Sequence, residues 1–390
     1  MNNTFTQTHT PTLQSKLPQV GTSIFSVMSA LAQEHKAINL AQGFPDFDCP
    51  EELAELVGHY TRTGHNQYAP MPGLLQLRQK ISKKTDLLYG VSPDPVTEIT
   101  ITTGATEALF AAITAVVSAG DEVIVLEPAY DSYVPAILLS GGKPVFVPLT
   151  PPGFTIDWDL VKSKITPRTK LLILNSPHNP TGMVLKPHDL QALTELVQNT
   201  GIFIISDEVY EHMVFNGKQH LSVLQEQALL ERSFVISSFG KTYHTTGWKI
   251  GYCIAPTALT SELRKIHQFL TFSSATPMQY AIADFIENKE HYLSLPDFYQ
   301  QKRDLFLKLM QHSKFKMIPA AGTYFQLADY SAITASGDAA FAKKLIEETG
   351  VAAIPVSAFY HNQADHQLLR FCFAKKEETL RSAAQKLCRL

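Results

Sequence analysis

Cysteine is scarce in this chain: Cys49, Cys253, Cys372 and Cys388 are spread over 390 residues with no C-x-x-C pair. That spacing argues against a disulfide framework or a cysteine-based zinc site and fits a reducing, cytosolic setting. An excess of one charge is missing too. The 33 Lys and Arg against 36 Asp and Glu leave a formal charge of −3, too little to draw nucleic acid or an anionic membrane. No apolar run approaches the roughly 20 residues that a membrane helix needs. The opening stretch MNNTFTQTHTPTLQSKLP has neither a basic n-region nor an apolar core, so no secretory signal is expected. What is present, 45% hydrophobic and 18% charged residues, is the composition of a soluble globular protein with a large core and room for two domains.

Residues 1–18 are polar and punctuated by proline, and they read as a loose arm. Apolar spacing predicts helices over Ile24 to Ala32, Glu51 to Tyr60 and Gly73 to Tyr89. Between the first two, INLAQGFPDFDCP gives a short strand broken at Gly43 and Pro45. Between the last two, GHNQYAPMPG is a turn-rich linker that carries Tyr68 with no evident core to join. From Glu98 onward strands and helices alternate. EITIT, EVIVLE, KPVFVPL, TKLLILN, IFIISDE and SFVISS are apolar runs, and helices such as Ala105 to Ala119 and Asp189 to Gln198 lie between them. Continuous apolar strands separated by helices imply a largely parallel sheet covered on both faces.

Beyond Pro256 helices dominate, at Ser261 to Gln268, Met278 to Asn288 and Tyr299 to His312. Short strands in TYFQLADY, VAAIPV and LLRFCFA then alternate with helices at Asp338 to Thr349 and Lys376 to Leu387. The expected organisation is α/β, with an arm over 1–45 that contributes to a small domain. A large domain would span 46–290 and a small C-terminal domain 291–390.

In such sheets ligands bind beyond the carboxyl ends of the strands, and those ends carry chemistry here. EITIT stops at Thr103, Gly104, Ala105 and Thr106 before a helix, so backbone N–H groups there could hold a phosphate or Thr103 or Thr106 could simply cap the helix. TKLLILN leads into SPHNPTG, a turn in which Asn179 could offer its amide to a ligand. Asp207, at the end of IFIISD, suits a magnesium ion, a protonated ring nitrogen or a helix cap. Lys241 follows SFVISSFG on a predicted turn among Tyr243, His244 and Trp248, where partial desolvation would make its amine nucleophilic. The G-K-T at Gly240 to Thr242 also suggests a P-loop. That motif needs glycine where Val235 stands and a helix directly after the lysine, so nucleotide hydrolysis is set aside. A phosphate cradle, a stacking aromatic, an amide, a carboxylate and a lysine together match what pyridoxal phosphate requires of a protein.

Asn179-Pro180-Thr181-Gly182, Asp207-Glu208-Val209-Tyr210 and Ser237-Ser238-Phe239-Gly240-Lys241 resemble fold-type I aminotransferases of classes I and II in both order and spacing. GFPDF, NQYAPMPG, TTGATEAL, EPAYDSY and SSFGKTYHTTGWKIGYC narrow the likeness to the kynurenine aminotransferase-like branch. The resemblance implies a seven-stranded, mainly parallel sheet and a pyridoxal 5'-phosphate cofactor joined to Lys241. It gives Asp207 to the pyridinium nitrogen, Tyr210 and Asn179 to the ring hydroxyl, and Tyr130 to stacking. Gly104, Ala105, Thr106, Ser238 and Lys249 would hold the phosphate, Lys249 standing where many members have arginine. Arg370 would grip the substrate carboxylate beside Asn179 and Gly43. Tyr68 would reach the phosphate of a neighbouring subunit, which implies a homodimer with shared sites. No metal is implied.

The same likeness implies ping-pong transfer of an amino group to a 2-oxo acid, with methionine the expected donor and aromatic amino acids or kynurenine next. Phe25, Tyr68, Tyr130, His244 and Phe272 are candidates for an apolar side-chain pocket. A cysteine-S-conjugate β-lyase on the same cofactor is the alternative, marked by pyruvate release without an acceptor. A non-catalytic regulator is disfavoured, because the arm before Ile24 leaves no room for a DNA-binding domain.

Overall fold

The computed structural model describes residues 12–390, so most of the expected N-terminal arm lies outside the described residues. Residues 12–18 carry no helix or strand. The helix Ile24–Glu34 begins at Ser23, whose hydroxyl accepts the Ser26 N–H. It leads into strand β1 (Ile38–Asn39) and then the glycine-containing segment around Gly43.

The large sheet contains β2 (Ile99–Thr102), β3 (Glu122–Glu127), β4 (Lys143–Pro148), β5 (Thr169–Asn175), β6 (Phe203–Asp207), β7 (Ser233–Ser238) and β8 (Gly251–Ile254). Their spatial order is β2-β8-β7-β6-β5-β3-β4. Strand β8 runs antiparallel to both neighbours, and the other six share one direction. The carboxyl ends of β2, β5, β6 and β7 therefore meet along one edge, where the start of β8 joins them. Gly251 sits in register with both Thr102 and Ser238. A Cβ there would lie 2.8 Å from the Ala105 nitrogen and 2.9 Å from the Gly104 carbonyl carbon, so only glycine lets these strand ends close up.

Alternation sorts the strand residues into two layers. Val123, Val125, Leu171, Ile173, Phe234 and Ile236 pack under one set of helices, with Ala108, Leu109 and Leu263. Ile124, Leu126, Leu172, Leu174 and Val235 face the other way, into a core that continues to Phe325 and Phe371. Burying a side chain of this size contributes about 1.5–3 kcal/mol, and with both faces covered the strand tips become rigid mounting points.

The second sheet holds β9 (Lys316–Ile318), β10 (Phe325–Asp329), β12 (Ile354–Pro355) and β13 (Leu368–Cys372), in the antiparallel order β12-β13-β10-β9. VAAIPV, expected as one strand, is divided: β11 (Val351–Ala352) pairs with β1 instead. That pairing draws the N-terminal segment onto the C-terminal sheet, and Leu40 O accepts the Cys372 N–H at 2.7 Å. Gly43 is thereby carried to the edge where the large strands end. Among the described residues no helix is long and apolar enough to cross a membrane.

Candidate active site

A cavity of about 310 Å³ opens at that edge. The structure brings Phe25, Gly43, Gly104, Ala105, Thr106, Tyr130, Asn179, Asp207, Tyr210, Ser238, Lys241, Lys249 and Arg370 to its walls. Thirteen positions spread over almost the whole chain thus converge. Tyr68 does not line it: its ring is 84% exposed, against Phe272 at 5.5 Å.

Lys241 lies in a one-turn helix, Phe239–Thr242, rather than on an open turn. The helix ends at once, so nothing follows the lysine in the way a P-loop requires. Its surroundings also differ from expectation. Tyr243 packs on Phe239 and Phe285, and His244 on Phe47 and Tyr299. The rings near Nζ are Tyr210 and Tyr324, with centroids at 5.7 and 5.6 Å. Nζ donates to Gly43 O at 3.1 Å and Tyr324 Oη at 3.0 Å. Burial lowers its pKa from 10.5 to about 8, opposed by Cys372 and Asp207 and assisted by the positive Arg370 and Lys249. Near neutrality the amine therefore loses its proton far more readily than a surface lysine.

Asp207 is buried at the tip of β6. Tyr133 Oη donates to Oδ2 at 2.6 Å and the Val209 N–H to Oδ1 at 3.3 Å. Burial raises its pKa to about 6, less than it would without those two donors. The result is a carboxyl group that a cation would readily hold ionised. Asn175 fixes the neighbouring turns, its Nδ2 donating to Asp207 O at 2.9 Å and its Oδ1 accepting the Asn179 N–H at 2.8 Å.

The helix Gly104–Val116 starts at the cavity, and no side chain caps it among the described residues. Glu107 accepts the Thr103 N–H at 3.0 Å, and the Thr103 hydroxyl pairs with Ser274 Oγ at 3.2 Å rather than with a helix N–H, so it does not cap the helix. The first free N–H groups and the helix dipole make that terminus suited to an anion. Gly104 has φ +75°, and a Cβ on it would lie 3.2 Å from Lys249 Nζ. A positive side chain thus stands beside the uncapped turn.

Arg370 closes the opposite wall and is 1% exposed. It donates to Asn179 Oδ1 at 2.6 Å and Ala41 O at 2.9 Å, while Nε finds no partner among the described residues. Its guanidinium lies 3.8 Å from the Phe325 ring centroid, with Phe25 and Phe359 at 5.3 and 5.2 Å. Burial lowers its pKa to about 10, which still leaves it charged. A planar cation with a donor to spare, amid apolar rings, suits a carboxylate with an apolar tail.

The family model of the class I and II aminotransferases matches residues 35–387. The chain is a class I and II aminotransferase. Over 378 residues it is 54% identical to methionine aminotransferase of Escherichia coli K12, covering 97% of this chain and 98% of that one. It is 36% identical over 392 residues to human kynurenine–oxoglutarate transaminase 1, covering 92% and 93%. A solved E. coli structure described as having a methionine aminotransferase function aligns with a TM-score of 0.96 and 53% identity. It covers 98% of this chain and 100% of that one.

Of the five aromatics expected around the substrate, only Phe25 and Tyr130 reach this aminotransferase's cavity. His244 instead shares a hydrogen bond with Tyr299 at 3.0 Å, and Phe272 lies outside the cavity beside Tyr68. Phe325, Asn175, Tyr133 and Tyr324 take part without having been singled out. Tyr133, three residues past Tyr130 in EPAYDSY, could have been found as a neighbour on the same turn. Tyr324 and Phe325 sit in a segment that reads only as a strand, and nothing local shows that it folds back over the large sheet.

Proposed function

We propose that this aminotransferase uses pyridoxal 5'-phosphate, held through Lys241, to move the amino group of methionine, and secondarily of aromatic amino acids or kynurenine, to a 2-oxo acid. The observation that carries the reading is the union of four unlike features in one cavity. They are a lysine lowered to about 8, a carboxyl group raised to about 6, an uncapped helix start and a buried arginine with a free donor. The cofactor fits this donor set, and its ring, when bound, supplies the electron sink that makes a Cα proton removable.

The chain's own residues supply the rest. Asp207 places negative charge where the ring nitrogen must stay protonated, and Tyr133 holds that carboxylate in position. Gly104, Ala105, Thr106, Ser238 and Lys249 hold the phosphate, Tyr130 stacks on the ring, and Asn179 and Tyr210 serve its hydroxyl. Arg370, steadied by Asn179, orients the donor carboxylate with the Gly43 backbone. The Lys241 amine, half-buried and easily neutral, takes the Cα proton as a general base and returns it. Phe25, Phe325 and Phe359 around Arg370 favour an apolar donor over aspartate. The 54% identity to a methionine aminotransferase supports methionine among them.

A homodimer in a cytosolic setting is part of this reading, as is the division into residues 1–45, 46–290 and 291–390. The exposed rings of Tyr68 and Phe272, 5.5 Å apart, form an aromatic patch that a second copy would cover, bringing Tyr68 to its site. An amino-donor panel followed by oxo-acid formation, alongside the visible spectrum of the protein, tests the proposal. Methionine is expected to lead. A preference for aspartate or alanine, or pyruvate and ammonia released without an acceptor, would count against it.

A further inference from the structure

Resting on the reading of Lys241 as the cofactor lysine, we propose that Tyr324 is a positioning residue for it. Its phenol oxygen and the Gly43 carbonyl form a seat that holds the amine whenever that amine is free. The three atoms form a closed triangle: Nζ to Tyr324 Oη 3.0 Å, Nζ to Gly43 O 3.1 Å, and Tyr324 Oη to Gly43 O 2.5 Å. The geometry fixes the proton roles. Gly43 O can only accept, so the phenol hydrogen goes to it and the phenol oxygen is left to accept from Nζ. A neutral amine has two N–H donors and one lone pair. Both donors are taken up by the seat, and the lone pair is the valence left over for proton removal.

The three partners come from three parts of the chain. Gly43 follows β1, Lys241 follows β7, and Tyr324 enters β10 of the second sheet. Tyr324 is fully buried and wedged by Tyr210, Phe325 and Tyr299 at 5.2, 4.9 and 5.7 Å. Thr323, just before it, has φ +63°, a left-handed conformation that is costly for a β-branched residue and concentrates at functional sites. Its N–H is tied to Met213 O at 2.9 Å. A free amine thus ties the N-terminal segment and the second sheet to the large one. Covalent use of Nζ removes that tie.

Tyr324→Phe keeps the ring and removes only Oη. The titratable and charged groups facing Nζ, which are Cys372, Arg370, Lys249 and Asp207, are unchanged. In the full chain freed of cofactor, the pH profile of Lys241 acetylation by acetic anhydride, read by peptide mass spectrometry, is the primary measurement. Loss of an acceptor that favours the ammonium is expected to lower the midpoint by about one pH unit and raise labelling at pH 7 about fivefold. With cofactor restored, kcat should fall about tenfold or more while KM for the donor moves less than about threefold. Tyr299→Phe, which removes a hydroxyl from the same aromatic cluster, should leave the profile in place. An unchanged midpoint in Tyr324→Phe, or an equal shift in both variants, overturns the proposal. Borohydride trapping of cofactor on Lys241 in the Tyr324→Phe variant separates this outcome from failure of the cofactor reading itself.

Discussion

Two buried lysine–carboxylate groupings stand on the same sheet, and their partners make them opposites. Lys84 Nζ lies 2.7 Å from Glu211 Oε1 and also contacts Tyr252 Oη at 2.8 Å. Glu211 accepts further bonds from Tyr89 at 2.7 Å and Ser237 at 2.5 Å. Burial alone would raise the Glu211 carboxyl, but the Lys84 charge and the hydrogen bonds from Lys84 and Ser237 hold it well below the usual carboxylate range. Asp207 is buried too and Lys241 half-buried, yet no salt bridge joins them. Their hydrogen bonds go to Gly43, Tyr324, Tyr133 and the Val209 N–H, and with no ion pair to offset it desolvation pulls each toward its neutral form. Unequal pairing of desolvated groups separates a brace from a reactive site.

The largest effect that sharpens this contrast is on turnover. Lys241→Met is expected to cut methionine transamination by at least ~10⁴-fold, since it removes both the attachment point and the base. Oxo-acid formation measures it. Breaking the other grouping should touch stability first. Lys84→Met leaves the Glu211 charge buried without its partner and should destabilise the protein by about 3–5 kcal/mol in chemical denaturation.

Lys241→Met is expected to do the reverse in the cofactor-free protein. A lysine whose pKa falls from 10.5 to about 8 on folding costs on the order of 3 kcal/mol below pH 8, where folded and unfolded chains both carry the proton, and progressively less between pH 8 and 10.5, where only the unfolded chain binds it. The variant should gain up to that amount at neutral pH. The gain should fade as pH rises from about 8 to 10.5, which denaturation at a series of pH values reads directly. The smallest effect belongs to Tyr133→Phe. Without that donor the Asp207 carboxyl rises further above about 6, so cofactor affinity should change little at pH 8, where the carboxyl is ionised with or without Tyr133. The deficit should grow to about tenfold below pH 6, where binding must displace a proton that the variant holds more tightly; a fluorescence titration follows it.

The large sheet was legible because its strands are unbroken apolar runs, and the residues that punctuate them, Gly104, Asn179, Asp207 and Lys241, fall at their carboxyl ends. Parallel strands bring such ends together whatever the helices between them do. The second sheet was harder to read. VAAIPV gives no sign that it divides between β11 and β12, because the partners that divide it, Ile38 and Arg370, lie far away in sequence. Local pattern likewise placed Lys241 among its sequence neighbours, whereas long-range contacts put Tyr324 and Gly43 beside it. Tyr68 illustrates the remaining gap: its exposed ring is informative only once a second copy is considered.

The central claim is that the amine at position 241 carries the cofactor. Reduction of the pyridoxal phosphate-loaded protein with borohydride, followed by proteolysis and peptide mass spectrometry, tests it most directly. A phosphopyridoxyl mass on the peptide bearing Lys241, and on no other lysine, is the predicted result. Label on Lys249 in its place, or no stable label at all, would contradict the account.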